Sequence, residues 1–407
     1  MENFEIEIET TGSNSEGAKI KAIGVGGGGG NMINHMIAEN ITGIDLIVAN
    51  TDAQALASSL APIKLQIGSN ITRGLGAGMR PDIGREAALE SYSEIKDALS
   101  GADIVFISAG LGGGTGTGAA PIIAQAAKEV GALTVAVVTS PFKFEGRRRA
   151  KLAKEGLEEL KKESDSIIVI PNEKLLSIVE KNLGIKESFK LVDDVLTQAV
   201  TGISNVIISH APSDINLDFA DVKTVMSHRG LALMGSGHST GSNAAYDAAK
   251  AAIDSPLLDN ISINGAKGVL VHFNIHPEHP LMQISEAMDI IEEHADADAY
   301  VIFGTTTNPD MELDEVKITI IATGFEDPSS IEAPVSQADK ARVASEKLAT
   351  STAQIQEQQP VSKPVQSAKA TGTYNQPVRR RRVAGNTSID LDDDSLDVPT
   401  FLRKQYD

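Results

Sequence analysis

Gly110-Leu111-Gly112-Gly113-Gly114-Thr115-Gly116-Thr117-Gly118 is the stretch that decides the fold. It leaves an apolar run, Ile104 to Ser108, that reads as a buried strand, and it enters a helix from Ala119. Glycine at such a junction lets backbone amides approach phosphate oxygens, and the helix N-terminus adds partial positive charge. The same design stands earlier in the chain. There the strand Ile20 to Val25 runs into Gly24-Val25-Gly26-Gly27-Gly28-Gly29-Gly30-Asn31, with a helix expected from Asn31. Two such loops at the carboxyl ends of strands in one sheet face a common crevice, where open α/β sheets bind ligands. A third segment, Gly74-Leu75-Gly76-Ala77-Gly78, could wrap a terminal phosphate, and one nucleotide with several phosphates accounts for all three. No Lys follows these glycines at P-loop spacing, so amides, hydroxyls and Mg²⁺ are expected to meet the phosphate charge.

Outward from these loops, strands at Asp45 to Ala49, Asp103 to Ser108 and Leu133 to Val138 alternate with helical periodicity. That alternation predicts a Rossmann-like, parallel, doubly wound sheet over residues 19–187. Between Ser188 and Ser209 apolar residues recur at Phe189, Val192, Val195, Leu196, Ala199, Val200, Ile203, Val206 and Ile207, the pattern of a long buried helix over 188–210. A smaller α/β domain over 211–325 follows, with strands Gly268 to Phe273, Ala299 to Phe303 and Val316 to Thr323 and an amphipathic helix Leu281 to His294. Residues 1–18 are acidic and read as a disordered segment. Residues 326–385 are rich in Ala, Ser, Gln, Pro and Lys and read as a flexible linker. After Arg379 to Arg382, residues 386–407 close the chain. Their acidic run and apolar tip, with Asp397, Pro399, Phe401 and Leu402, suggest a docking peptide for a partner.

Charge and composition exclude several classes. Against 36 Lys+Arg stand 55 Asp+Glu, a formal net charge of -19, which argues against a nucleic-acid partner. Absence of cysteine removes disulfides, thiolate catalysis and a Cys-ligated zinc, and points to a reducing compartment. No uninterrupted apolar run approaches the ~20 residues that span a bilayer, so a cytoplasmic protein without membrane insertion is expected.

The glycine loop at 112–118 resembles the tubulin-type signature, and residues 19–325 resemble the FtsZ family, the bacterial tubulin-like GTPases of cell division. Further matching stretches are Ala49 to Leu56, Pro141 to Gly146, Asn216 to Asp221 and the tail around Pro399 to Arg403. The resemblance implies a tubulin-like fold, GTP and GDP as ligands, and phosphates on Gly27, Gly28, Gly29, Gly30, Asn31, Gly114, Thr115 and Gly116, with Ala77 and Gly78 nearby. It places the sugar near Glu145 and Arg149 and the guanine at Asn172, Phe189 and Asp193. The residue chemistry is compatible: Phe189 can stack on a base, and a carboxylate can accept from guanine N1 and N2. Asp194 adjoins Asp193, so the choice between them stays open. The resemblance also implies a head-to-tail homopolymer, a division ring at mid-cell beneath the inner membrane, and membrane-tethering and regulatory partners on the tail.

Asp218 and Asp221 are three apart and share a face if a helix begins there. They could polarise water or bind a cation; the lesser alternative for Asp218 is a helix N-cap, since Asp is a favoured cap. An EF-hand reading from Asp214 fails, since Phe219 and Val225 stand where Gly and Glu are needed. If the long helix starts at the guanine, it carries these acids roughly 30 Å away at 1.5 Å per residue, beyond their own γ-phosphate. They can reach a neighbour's if subunits stack head to tail. Asn216, Asp218 and Asp221 are therefore the expected catalytic residues, acting in trans.

Three other readings compete. Gly237-His238-Ser239-Thr240-Gly241 fits a nucleophile elbow, between a strand Leu231 to Met234 and a helix from Ser242, with Asp259 and His272 downstream. His272, His276 and His279 could suggest a metal, although Pro277 and Pro280 break their spacing, and no metal site is assigned. Gly24-x-Gly26-x-x-Gly29 with Asp45 fits a dinucleotide fingerprint, except that Asp45 begins its strand where a ribose acid should end it.

Overall fold

The computed structural model describes residues 17–175, 184–208, 214–228, 230–258, 263 and 265–325. The expected segment over 1–18, up to residue 16, and the linker and tail peptide beyond 325 lie outside them. Ten strands are described: β1 Ile20–Val25, β2 Ile44–Asn50, β3 Ile63–Gln66, β4 Ile104–Gly110, β5 Leu133–Ser140, β6 Ser166–Pro171, β7 Leu231–Thr240, β8 Gly268–Ile275, β9 Tyr300–Thr307 and β10 Glu315–Phe325. They form one sheet in the order β3-β2-β1-β4-β5-β6-β7-β10-β8-β9.

From β3 to β6 every pairing is parallel, which is the predicted Rossmann-like half. Its strand order reverses between β1 and β4, and that is where a crevice opens at the carboxyl ends. Side chains alternate across the sheet. Ile20 and Ala22 of β1 with Ile104 and Phe106 of β4 enter one core layer, and Ile23, Val25, Val105 and Ile107 enter the other. The first layer is closed by Met32, Ile33 and Met36 of the helix Gly26–Ala38, the second by Ala119, Ile122 and Ile123 of the helix Thr115–Glu129. Both faces are thus apolar, as a parallel sheet requires.

β6 meets β7 over two residue pairs only, and beyond it β7, β10 and β8 pair antiparallel, with β9 parallel to β8 at the edge. The helices Ala244–Ile253 and Leu281–His294 cover one face of this half, the latter with its expected bounds. The central helix, Ile185–Ile208, runs under the other face and shares a core layer with both halves, through Val192 and Leu196 near its start and Val206 and Ile207 near its end. By length and composition Lys186–Ile208 could cross a membrane, but 61% of its apolar window is buried, which is the environment of a core helix.

Three expectations need correction. The helix of the second glycine loop starts at Thr115 rather than Ala119. That of the first glycine loop starts at Gly26 rather than Asn31. Glycine's poor helix propensity is overridden because the first turn lies against β4, so close that a Cβ on Gly29 would stand 2.2 Å from the Ser108 carbonyl oxygen. The Gly237 to Gly241 pattern is not a strand-to-helix turn. β7 continues to Thr240 and Ser239 is paired with Val316 of β10, so no elbow exposes its hydroxyl; Asp259 lies outside the described residues.

Candidate nucleotide site

The crevice at the strand reversal is a cleft of about 540 Å³. Two helix N-termini converge on it. Gly27, Gly28 and Asn31 line it from one side, and Gly113, Gly114, Thr115 and Gly116 from the other. Neither helix has an acidic residue in its first turn or a side chain capping its amides. Those N–H groups therefore remain available to an anion, and both helix dipoles favour negative charge in the cleft.

The third glycine segment closes the same end. Gly76, Ala77 and Gly78 line the cleft, and a Cβ on Gly114 would stand 2.1 Å from the Gly78 carbonyl oxygen, so the two backbones meet with no side chain between them. The segment is held by backbone bonds from Ala53 N to Gly74 O at 3.0 Å and from Gly76 N to Thr51 O at 3.2 Å. Asp52 also lines the cleft, its Oδ1 accepting from Gln54 N and Ala55 N as an N-cap, and Asn50 stands beside it.

At the other end the residues change from glycine to apolar and amide groups. Phe189, 41% exposed and set edge-on to Phe142 with ring centroids 5.5 Å apart, lines the cleft with Val192, Asp193 and Leu196 of the central helix. Phe189 and Asp193 are one turn apart, on one helix face. Burial, and then the neighbouring Asp194 charge, push the Asp193 carboxyl up to about 7. Asp194 turns elsewhere, its Oδ1 2.5 Å from His35 Nε2. Asn172 is buried on the cleft wall with Oδ1 lacking any partner, an acceptor left for a ligand's donor. On the rim, Arg149 Nη1 donates to Glu145 Oε2 at 2.5 Å, and Glu145 Oε1 accepts from Phe142 N.

Of the residues expected at the nucleotide, Gly27, Gly28, Asn31, Ala77, Gly78, Gly114, Thr115, Gly116, Glu145, Arg149, Asn172, Phe189 and Asp193 meet in this cleft. Gly29 and Gly30 do not line it; both are buried against the sheet, Gly29 at Ser108 and Gly30 at Val48. Asn50, Asp52, Thr139 and Leu196 line it without having been assigned a role from sequence. For Asp52 a signal existed, an Asp directly before the helical run Ala53 to Ser58.

Asn216, Asp218 and Asp221 are not among the cleft residues. Their loop docks on the far end of the central helix and on β9. Leu217 N donates to Val206 O at 3.3 Å, Thr305 N donates to Ile215 O at 3.0 Å, and Asp214 Oδ1 accepts from both Thr307 N and Thr307 Oγ1 at 2.7 Å. From Phe189 to Val206 a helix rises about 26 Å. Asp218 occupies the N-cap position of the helix Phe219–Met226, yet its carboxylate makes no capping bond and it is exposed.

The competing constellations are used otherwise. Buried His272 bonds Thr306 Oγ1 through Nε2 at 2.9 Å, and burial lowers its pKa to about 4. His276 Nδ1 accepts from Glu278 N, and His279 Nδ1 pairs with Leu313 O. Asp45 lies at the amino end of β2, opposite to the cleft, so it cannot hold a ribose there.

Residues 19–180 match the family model of the Tubulin/FtsZ family GTPase domain, and residues 230–326 that of the FtsZ family C-terminal domain. The cell division protein FtsZ of Pseudomonas aeruginosa is 47% identical over 390 residues, covering 96% of this chain and 97% of that protein. Among solved structures, an empty FtsZ dimer of M. jannaschii superposes with a TM-score of 0.72 at 46% identity, over 75% of this chain and 88% of that one. CetZ1 of Haloferax volcanii in its GDP-bound form reaches 0.66 at 19% identity, over 81% of this chain and 99% of that one, a likeness of fold alone. On these matches the chain belongs to the FtsZ family of tubulin-like cell-division GTPases.

Proposed function

We propose that this chain binds GTP in the cleft described above and hydrolyses it only where a second copy, stacked head to tail, presents Asn216, Asp218 and Asp221 to the γ-phosphate. The observation that carries this reading is the separation of the two halves of the chemistry. The start of the central helix lines the cleft, and the acidic loop docks on its last turns. A contact that joins one end to the other is heterologous and propagates as a filament.

Within the cleft, amides of Gly27, Gly28, Asn31, Gly114, Thr115 and Gly116 hold the phosphates, with Ala77 and Gly78 closing over the last. Mg²⁺, when bound, neutralises charge on the transferred phosphoryl group, and Asp52 is the carboxylate beside the phosphate loops that could help hold it. Glu145 and Arg149 bracket the sugar; Phe189 stacks on guanine, Asp193 accepts from its N1 and N2, and Asn172 Oδ1 takes a further donor. The incoming acids orient and polarise the attacking water. The filaments form a division ring at mid-cell beneath the inner membrane, tethered and regulated through the tail peptide around Asp397, Pro399, Phe401 and Leu402.

Complementation tests the shared site. An Asp218→Ala protein keeps an intact cleft and an Asn172→Ala protein keeps intact acids, so each alone hydrolyses GTP poorly. Mixed, they form interfaces that pair a sound cleft with sound acids, and turnover rises above the sum of the two. No gain on mixing would exclude a composite site.

A further inference from the structure

Asp193 and Asp194 are adjacent on the central helix, about 100° apart around its axis at 3.6 residues per turn. One lines the cleft and the other does not. The partner that Asp194 finds is His35, on the helix Gly26–Ala38 that begins in the first glycine loop. At 2.5 Å the imidazole Nε2 and the Asp194 carboxylate are in ion-pair contact. The His35 side chain is 10% exposed and that of Asp194 36%, so the bridge sits at the margin of an apolar seam. Met32, Ile33 and Met36 from one helix and Val192, Val195 and Ala199 from the other make that seam. His35 is also one turn on from Asn31, which lines the cleft, so the same face of one helix touches the nucleotide site and Asp194.

The interdigitated seam fixes the two helices against each other, and a close polar contact at its margin adds a further fixed point, because turning either helix would separate His35 from Asp194. We infer that His35 is a positioning residue: by holding the Asp194 carboxylate against the glycine-loop helix it sets the rotation of the central helix that leaves Asp193 facing the base, and so ties base selectivity to the helix that carries the phosphate loop. This rests on the assignment of Asp193 to guanine. Burial and the Asp194 charge both act on Asp193.

The readout is the preference for GDP over inosine 5′-diphosphate, which lacks the 2-amino donor, measured as a ratio of dissociation constants on the full chain. Expected is a fall in that ratio by roughly fivefold or more in His35→Leu and in Asp194→Ala, the size set by loss of a polar contact to the base. The double variant falls no further than either single one, and His35→Gln, whose amide N–H can donate to Asp194, keeps most of the preference. A merely structural His35 would weaken both nucleotides alike and leave the ratio in place. If His35→Leu does not fold, Asp194→Ala, at a half-exposed position, carries the same decision. Asp193→Ala separates the two levels. Should it keep the full preference, the guanine assignment itself is wrong. Should it lose the preference while His35→Leu and Asp194→Ala both retain it, only the positioning role is overturned.

Discussion

The hydroxyls of Thr51 and Thr115 lie 2.7 Å apart, joining the end of β2 to the first turn of the helix that follows the second glycine loop. Thr51 is wholly buried, and its carbonyl oxygen also accepts from Thr72 Oγ1 and Gly76 N. One residue therefore ties two of the three glycine segments together. In a double-mutant cycle with Thr51→Val and Thr115→Val, a coupling of about 1 kcal/mol is expected, the usual worth of a buried neutral hydrogen bond. Urea unfolding without nucleotide measures it, and strictly additive effects would show that the contact is incidental.

Gly27 and Gly29 should separate ligand-binding glycines from structural ones. A Cβ on Gly29 would stand 2.2 Å from Ser108 O, with backbone rather than a movable side chain in the way. A Cβ on Gly27 meets nothing within 4 Å, yet Gly27 faces the cleft. Gly29→Ala is expected to destabilise the fold by about 3 kcal/mol or more, as overpacking a rigid contact does. Gly27→Ala should melt like the parent but bind GDP more weakly. Thermal melts and nucleotide titrations on both variants decide the assignment.

These two glycines also mark the limit of what residue patterns reveal. The strands β1, β2, β4 and β5, the central helix and the helix Leu281–His294 were legible because burial imposes a period of two or 3.6 on the apolar residues. That the glycine loops share one cleft was legible because each follows a strand of the same parallel sheet at its carboxyl end. Which glycines face the cleft was not legible, since that depends on how closely β4 approaches, a tertiary distance. The same holds for Gly237 to Gly241, whose motif is absorbed into β7 by pairing with β10, and for Asn172, whose buried, unpartnered oxygen on the cleft wall is visible only in the folded chain.

Asp193 predicts a pH dependence of nucleotide binding. Its carboxyl titrates at about 7 in the ligand-free protein, raised by burial first and by Asp194 second. Guanine N1 and N2 donate, so they need the ionised form. Below about pH 7 the proton must leave when the base binds, and GDP affinity falls by up to about tenfold per pH unit; above it the curve is flat. The sign for stability runs the other way. A folded pKa above the unfolded value gives the ligand-free fold a contribution that is full below about pH 4 and lost as pH rises through about 7. Isothermal titration from pH 5.5 to 8.5 checks the first part, with Asp193→Asn expected to flatten the profile.

Asp218 and Asp214 predict opposite losses. Asp218 sits at an N-cap position without making the cap bond, so its carboxylate contributes little to holding the helix Phe219–Met226. Asp218→Ala should change unfolding free energy by no more than about 0.5 kcal/mol, leave GDP binding intact, and abolish most GTP turnover in filaments. Asp214 instead accepts two hydrogen bonds from Thr307 and anchors the loop to β9. Asp214→Ala should cost about 1–3 kcal/mol by leaving those donors unmet. It should also lower turnover indirectly, because Asn216 and Asp218 would no longer be held where a neighbouring subunit meets them. The comparison turns on the two quantities together. A large stability loss in Asp218→Ala would mean that its carboxylate acts as a cap after all, and the catalytic assignment would then rest on Asp221 and Asn216 alone.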